Sequence, residues 1–297
     1  TLTTPVGIVT EGVLTGAGAP MLGICDTPTE LFGEIAHALG VPASACWFDY
    51  LGLNHLGWVR EVYVDGRPQM AKILADDALL QKIYPRPLFE TARLRALGAL
   101  PTEYVYFYEH TERALANTLK GGTSRGAAIE KMNVALFDAL RAKEDDPVKV
   151  YEAYLAERNG TYFSLEGQGD ATKRTAPTEA ALLGGYDKIA VSVLTAIHGN
   201  TGAVIPLSVR NRGNIAGLQA DDVVEIPCLV DANGAHPLHV GEPPATVRAR
   251  LDAVKAYERA TVAAALSGSR DEAVRALALN PLVGDTGRAA SLAKALL

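Results

Sequence analysis

The sequence predicts a mixed α/β domain, with a mixed sheet and many helices, and three observations lead to that prediction. The chain has 297 residues and is 48% hydrophobic, which is enough to bury a sizeable core. Stretches with helical spacing are interspersed with β-rich runs that carry strong hairpin signals. No internal repeat, low-complexity tract or linker interrupts the pattern, so one continuous domain is expected.

Composition narrows the class of protein. The formal net charge of −6 and the pI near 5.6, without a Lys/Arg cluster, argue against nucleic acid and anionic membranes as main partners. No apolar run reaches the length of a transmembrane helix. Cys25, Cys46 and Cys228 cannot all pair and show no Cys-x-x-Cys spacing. This usage argues against a disulfide framework or structural zinc and predicts a cytoplasmic protein.

The first elements frame a cysteine. Residues 1–24 are predicted to form a helix and then a short buried strand, PMLGIC, that ends at Cys25. Thr27 and Glu30 fit a T-x-x-E capping box, with Pro28 at the first helical position. The apolar residues that follow recur at helical spacing: Leu31, Ile35 and Leu39. A helix is therefore expected to begin directly after Cys25.

The next stretch is β-rich. The run ACWFDYLGLNHLGWVREVYVDGRP reads as two strands around Asn54 and His55, and Asp65-Gly66 is the strongest hairpin signal in the chain. Residues 70–100 are predicted to be helical, with interruptions at prolines. His55 is thus expected in a loop at the edge of a rigid sheet.

A cluster of tyrosines follows, in LPTEYVYFYEH. Tyr104, Tyr106 and Tyr108 alternate as they would on one face of a strand. A short helix after Pro101 is the other possibility.

The second half alternates helices with one β-rich section. A turn at GGTSRG leads into a helix that starts near Arg125, and a polar section at 158–178 is expected to be a surface loop. GGYDKIAVSVLTAIHGN is a predicted helix, and the β-rich section after it carries an Asn233-Gly234 hairpin turn. From Thr246 onward the pattern is helical to the end.

These elements place a few reactive side chains, each of which also has a plain structural explanation. A helix N-terminus favours a thiolate at Cys25, and the imidazole of His55 could reach the same place, so the two could hold one metal ion. A single Cys and a single His thirty positions apart remain a weak metal signature. Asp26 could simply cap the helix, and Arg125 could be solvated or could clamp a phosphate. The tyrosines could line a core or a cleft.

Taken together, these motifs resemble glycoside hydrolase family 4, and most closely its bacterial 6-phospho-β-glucosidases. TTPVGIVTE, GICDTP and GLNHLGWV resemble the segment after the nucleotide-binding half, the C-[ND]-x-P metal turn and the histidine motif. LPTEYVYFY, GGTSRG and VRNRGNIAGLQADDVVEIPCLVDANG resemble the segment of the proposed base, the Thr/Arg turn and the late N-x-G-x-I-x-x-L-x-x-D-x-V-V-E-V-P signature. Their order is also that of the family.

The resemblance implies a fold and a domain arrangement. The fold is a substrate domain of the lactate/malate dehydrogenase-like type, with a mixed or antiparallel sheet and many helices. Residues 1–24 would be the remnant of the end of a Rossmann domain, and residues 25–297 the C-terminal substrate- and metal-binding domain. The Rossmann half itself, on the order of 150 residues, is absent from the sequence. The chain alone is therefore expected to be inactive.

The implied reaction departs from the scheme with two carboxylates that most glycosidases use. NAD⁺ accepts hydride from C3 of the sugar, a base removes the proton at C2, and the aglycone leaves by elimination. Water then adds and the hydride returns to C3, so NAD⁺ is required but not consumed.

Site roles follow from the resemblance residue by residue. Cys25 and His55 match the ligands of a divalent metal, usually Mn²⁺. Tyr104 matches the proposed C2 base, with Tyr106 or Tyr108 as substitutes if the register differs.

Substrate contacts are implied in the same way. Arg125 would hold the 6-phosphate, and Asn54 would contact sugar hydroxyls. Asp26 occupies a position where many β-specific members have Asn and the 6-phospho-α-glucosidases have an Asp proposed as general acid. A 6-phospho-α-glucosidase is therefore the alternative to the β-specific activity.

The expected partners are a phosphorylated disaccharide or aryl glucoside and further copies of the chain, as a homodimer or homotetramer. Two other functional hypotheses remain at this point. One is a substrate domain of the lactate/malate dehydrogenase type that acts on a 2-hydroxy acid without a metal. The other is a non-catalytic module that binds sugar phosphates or mediates oligomerisation.

Overall fold

The structure is a computed structural model that describes residues 5–85, 88–143, 145–161 and 185–297. The chain divides into two compact units, which are described separately below. The larger unit comprises Thr1–Ile83, Phe89–Tyr108 and Gly184–Leu297, and the smaller one comprises Tyr84–Leu88 and Glu109–Leu183.

The larger unit is built on one antiparallel sheet. The described strands are β1 (Cys46–Leu53), β2 (Leu56–Val64), β3 (Arg67–Pro68), β4 (Leu100–Pro101), β5 (Ala203–Arg210), β6 (Val223–Asp231) and β7 (Gly234–Pro237). The order across the sheet is β3-β2-β1-β6-β5, with β4 paired to β2 and β7 to β6. Every ladder between these strands is antiparallel. The prediction of a mixed α/β fold with a mixed or antiparallel sheet is therefore confirmed.

Turn chemistry sets the β1–β2–β3 meander. Asn54-His55 is the two-residue turn between β1 and β2, and Asp65-Gly66 is the turn between β2 and β3. Asp65 and Gly66 have φ of 49° and 72°, the left-handed values that a tight hairpin of matching twist requires. The hairpin predicted at Asp65-Gly66 is thus present.

The larger unit also contains helices, several of which contact the sheet. In the larger unit they are α1 (Val6–Gly12), α2 (Thr27–Leu39), α3 (Met70–Ala75), α4 (Asp77–Ile83), α5 (Thr91–Leu97), α10 (Tyr186–Gly199), α11 (Ala245–Ser267), α12 (Arg270–Leu279) and α13 (Thr286–Leu296); α6 (Val105–Glu109) runs to the boundary between the units. A π-helical turn, Val13–Ala17, and a 3₁₀ turn, Ala43–Ala45, complete the set. Helices α1 and α11 contact each other, and α1 also contacts β5 and β6. The predicted helices at 27–39 and 186–199, and the helical C-terminal region, are confirmed.

The smaller unit contains α7 (Thr111–Lys120), α8 (Arg125–Ala142) and α9 (Pro147–Gly160). Ser124 and Asp146 cap α8 and α9, because their side chains accept the N–H groups of Ala127 and Val148. Neither α8 nor α9 has a buried residue, although the two helices contact each other.

Two local predictions are wrong, the PMLGIC strand and the capping box, and a third had left two possibilities open. PMLGIC is not a strand: Gly23 forms only an isolated bridge to Ser208. Tyr104, Tyr106 and Tyr108 do not share a strand face, because β4 ends at Pro101 and the chain turns into α6. A short helix after Pro101, the other possibility, is what forms.

The capping box is also not formed. Asp26, not Thr27, is the residue before the first helical turn, and its side chain makes no capping bond. Thr27 lies inside the helix, and its hydroxyl accepts a hydrogen bond from the Cys25 thiol instead. The helix therefore starts where predicted, but a different set of contacts stabilises its first turn.

Part of the loop predicted at 158–178 can be assessed. Residues 158–160 form the last turn of α9, whereas residues 162–178 lie outside the described residues. Within the described ranges, no helix combines the length and the apolar character needed to cross a lipid bilayer.

Candidate active site

Cys25 lies immediately before α2 and is 1% exposed. Its Sγ donates to Thr27 Oγ1 at 3.4 Å and lies 3.9 Å from Asp26 Oδ1. Burial, and after it the charge of Glu225, raise the pKa of the Cys25 thiol to about 12. Burial thus opposes the thiolate that the helix N-terminus was expected to favour, and a bound cation would have to displace the proton.

His55 occupies the second position of the β1–β2 turn, in left-handed conformation with φ of 63°. Burial lowers the pKa of its imidazole to about 4, so the ring is neutral near pH 7 and retains a free lone pair for a cation. The ring stacks on Tyr104, with 4.0 Å between ring centroids and 19° between planes. The hairpin turn and the start of α6 thus bring these two predicted site residues together.

The three tyrosines of the predicted base cluster have different surroundings. Tyr104 is half-buried and lies beside His55, whereas Tyr106 is fully buried. Burial, reinforced by Glu258 and then by a neighbouring tyrosine, raises the pKa of Tyr108 to about 12, although Arg250 lies 5.8 Å from its ring centroid. Tyr104 is thus the member of the cluster placed next to another predicted site residue.

Asn54 lies in the β1–β2 turn, and Asp26 lies directly before α2. The Asn54 Oδ1 accepts the Val6 N–H at 3.3 Å. Its buried Nδ2 makes no hydrogen bond of standard geometry to a described residue, although the amide helps to lower the pKa of Glu225. The Asp26 carboxylate faces Gly185, where a Cβ would lie 3.0 Å from Asp26 Oδ2.

Arg125 belongs to the smaller unit. It begins α8, and its guanidinium donates to the Thr161 carbonyl and hydroxyl at 3.2 and 2.7 Å. It also donates to the Arg158 carbonyl at 2.7 Å. These bonds join the start of α8 to the end of α9.

The donors present can be tested against a divalent metal. No group of three or more His, Cys, Asp or Glu side chains in the described ranges is arranged as a complete metal site. Cys25 and His55 offer one sulfur and one neutral ring nitrogen, a pair that transition metals accept. Such a pair fits a cation whose remaining positions are taken by oxygens of a substrate or of water.

Glu225 is a buried acid of this region that sequence reasoning missed. It lies in β6, is 2% exposed, and accepts the Tyr50 hydroxyl at 2.6 Å. Burial raises the pKa of Glu225 to about 7, the hydrogen bonds of Tyr50 and Asn54 lower it, and the charge of Asp26 raises it further. The available signal was a carboxylate in the middle of the apolar run VVEIPC, where an unpaired charge is costly.

Comparisons with known proteins agree on one family. The chain is 28% identical over 312 residues to a 6-phospho-beta-glucosidase of Escherichia coli (strain K12), covering 99% of the chain and 62% of that protein. It is 27% identical over 290 residues to a phospho-alpha-glucosidase of Clostridium acetobutylicum, covering 93% of the chain and 60% of that protein. The chain thus spans about 60% of the length of the curated relatives it matches.

A solved structure agrees with these relatives. The 6-phospho-beta glucosidase of Thermotoga maritima, crystallised with manganese, NAD⁺ and glucose-6-phosphate, superposes with a TM-score of 0.75 at 25% identity. The match covers 98% of this chain and 63% of that one. The family model for the family 4 glycosyl hydrolase C-terminal domain matches residues 50–283. The chain therefore belongs to glycosyl hydrolase family 4.

Proposed function

We propose that this chain is the metal- and substrate-binding portion of a 6-phospho-β-glucosidase that requires NAD⁺ and a divalent metal such as Mn²⁺. One observation carries the proposal: in a family 4 domain, the neutral ring of His55 stacks on Tyr104 at 4.0 Å. That stacking supports the proposal, because a metal ligand at His55 and a base at Tyr104 would then act on one substrate.

The proposed roles divide among a few side chains. Cys25 and His55 would hold the metal, which when bound would act as a Lewis acid toward sugar hydroxyls. Tyr104 would remove the C2 proton, for which its phenol must ionise more readily than a free tyrosine, whose pKa is about 10. Asn54, with its buried Nδ2, would donate to a sugar oxygen, and Arg125 would hold the 6-phosphate.

Linkage specificity has a second candidate. Asp26 is a carboxylate next to Cys25, and the relatives include proteins named as phospho-alpha-glucosidases. An acid at this position could protonate the leaving oxygen of an α-linked substrate. A 6-phospho-α-glucosidase is therefore the alternative, whereas family membership leaves no support for the lactate/malate dehydrogenase-type alternative.

Other parts of the proposal concern the whole enzyme. The relatives extend well beyond the matched region, and we assign the binding of NAD⁺ mainly to that further part. The substrate would be a phosphorylated disaccharide or aryl glucoside, the compartment the cytoplasm, and the assembly a homodimer or homotetramer. Residues 1–24 would end the Rossmann domain, and residues 25–297 would form the C-terminal domain. Light scattering of the purified protein would measure the assembly.

The test is an assay of p-nitrophenol release from the α- and β-anomers of p-nitrophenyl glucoside 6-phosphate. The longer protein that contains this chain is assayed with and without NAD⁺ and Mn²⁺. We expect turnover of the β-anomer that needs both additions and is lost in Cys25→Ser. Preference for the α-anomer would favour the alternative and an acid role for Asp26, tested by Asp26→Asn. No turnover of either anomer would refute the glycosidase proposal for this substrate class.

A further inference from the structure

A line of small residues crosses the centre of the sheet. Gly52 in β1 pairs with Gly57 in β2 on one side and with Glu225 in β6 on the other. Glu225 pairs with Ser208 in β5, which in turn bridges to Gly23. These five residues, which we call the glycine row, include one charged side chain. Directly opposed residues point to the same face of the sheet. On the face that carries the Glu225 carboxylate, its neighbours across the strands therefore have no large side chains.

Tyr50 holds that carboxylate. It lies two residues before Gly52 on β1, so its side chain points to the face that carries Glu225. The Tyr50 hydroxyl donates to Glu225 Oε2 at 2.6 Å. The Tyr50 ring reaches this position only because residue 57 is glycine: a Cβ there would overlap the Tyr50 hydroxyl. The row thus fixes where the carboxylate stands.

The charge of Glu225 is not neutralised by a neighbouring cation. Among the ion pairs between described side chains, none includes Glu225. Glu225 is linked through Ser208 to Gly23, which lies two residues before Cys25. Glu225 is therefore a buried acid, hydrogen-bonded by Tyr50, on the part of the sheet that leads to a buried thiol that we assign to a metal.

We propose that Glu225, fixed by Tyr50 above the glycine row, is a positioning residue that supplies the balancing negative charge for a divalent cation bound by Cys25 and His55. This inference rests on the proposed function. A dication and one thiolate leave one net positive charge, which is costly in a buried site. A buried carboxylate near the thiolate cancels it, and Glu225 is the buried one, since Asp26, 3.9 Å from Cys25 Sγ, is partly exposed. Glu225 pairs with Gly52, two residues before the β1–β2 turn that carries His55, and so stands beside the strand that positions this turn.

The experiment measures Mn²⁺ affinity, without substrate, by electron paramagnetic resonance of the free ion. The proteins compared are the wild type, Cys25→Ser, Glu225→Gln and Tyr50→Phe, each in the longer protein that contains this chain. Glu61→Gln is the matched control, because Glu61 is a carboxylate of the same sheet that accepts only backbone N–H groups, from Val62, Gln69 and Met70. Melting temperatures are recorded for every variant.

We expect Glu225→Gln to weaken Mn²⁺ binding by ~10- to 100-fold, the range for residues that support metal ligands. Tyr50→Phe should weaken it less, because the charge remains and only its fixation is lost. Glu61→Gln should lower the melting temperature and leave the affinity unchanged. The spectrum of bound Mn²⁺ should change in Glu225→Gln and not in Glu61→Gln, which a purely structural role of Glu225 would not produce.

The outcomes separate the two proposals. If Cys25→Ser binds Mn²⁺ as tightly as the wild type, or if the wild type does not bind it, the metal site is wrong and this inference falls with it. If Cys25→Ser loses binding while Glu225→Gln keeps wild-type affinity, the metal site stands and the role of Glu225 is refuted. If Glu225→Gln does not fold, Tyr50→Phe decides: unchanged affinity and an unchanged Mn²⁺ spectrum would overturn the inference.

Discussion

Two groups of buried acids lie in the larger unit, and they are balanced in different ways. In the first, Lys255 forms ion pairs with Glu11 at 2.9 Å and with Glu258 at 2.6 Å. In the second, Glu225 accepts a hydrogen bond from the neutral Tyr50 hydroxyl and forms no ion pair with a described side chain. In the first group, one ammonium is shared by two carboxylates and joins α1 to α11. The second has no cation among the described side chains, as expected where a site must attract one.

The comparison is tested most strongly by removing the cation of the first group. Lys255 has no exposed surface, and burial alone would lower the pKa of its ammonium, but Glu258 and Glu11 raise that pKa above its usual value. Lys255→Met leaves both carboxylates buried without a cation and should lower the free energy of unfolding by about 3–5 kcal/mol. Urea unfolding followed by the fluorescence of buried Trp58 measures the loss. A loss below about 1 kcal/mol would mean that the group does not hold α1 in place.

Stability against pH tests the second group. The pKa of Glu225 is raised from 4.5 to about 7 in the folded chain. The folded state therefore keeps a proton that the unfolded state loses between these values, so stability is full below pH 4.5 and falls as pH rises toward 7. The loss amounts to about 3 kcal/mol, at 1.36 kcal/mol per pKa unit.

The measurement is urea unfolding between pH 4 and 8 with a chelator present. Glu225→Gln serves as the comparison, because other carboxylates titrate equally in both proteins. The difference in free energy of unfolding between wild type and variant should change across this window. A constant difference would show that Glu225 keeps an ordinary pKa.

The glycine row can be disturbed without changing any charge. Gly57→Ala places a methyl group against the Tyr50 hydroxyl and should cost about 1–3 kcal/mol, as for overpacking of a core. Gly33→Ala is the control, because Gly33 is an exposed residue inside α2 with nothing within reach of a Cβ. It should stabilise the protein by about 0.5–1 kcal/mol. Thermal unfolding measures the change in stability of both variants. Equal changes would contradict the close contact between Gly57 and the Tyr50 hydroxyl.

The smallest effect is expected at a surface ion pair. Arg95 and Asp77 are 2.6 Å apart, but their side chains are 41% and 62% exposed. Solvent screens such a pair, so Asp77→Asn should change the free energy of unfolding by less than about 1 kcal/mol. The same urea titration that is used for Lys255→Met measures this change. If Asp77→Asn destabilised the protein as much as Lys255→Met, burial would not explain the difference between the exposed ion pair and the buried one.

Local chemistry made much of this fold predictable. The Asp65-Gly66 turn and the start of α2 depend on residues that are adjacent in sequence, and both were found where they were expected. The alternation of Tyr104, Tyr106 and Tyr108 misled because a strand pattern of three aromatic residues also fits one and a half turns of helix. The helix forms because β4 is only two residues long and ends at Pro101.

The site was less predictable than the fold. Cys25 and His55 were picked out by their positions at a helix start and a hairpin, which are local signals. The role that we propose for Glu225 depends on the register between β1 and β6, which brings Gly52 opposite Glu225. Nothing in either segment alone encodes that register, because it follows from the packing of the whole sheet.

The glycine row also bears on the order in which the chain folds. Tyr50 and Glu225 are 175 positions apart, and Gly23 joins the same row from near the N-terminus. The β1–β2 hairpin can form from neighbouring residues, but the row closes only after distant segments meet, which is slow because long loops must be ordered first. The row is thus a late structure, and side chains that depend on it reach their final places only when the sheet is finished.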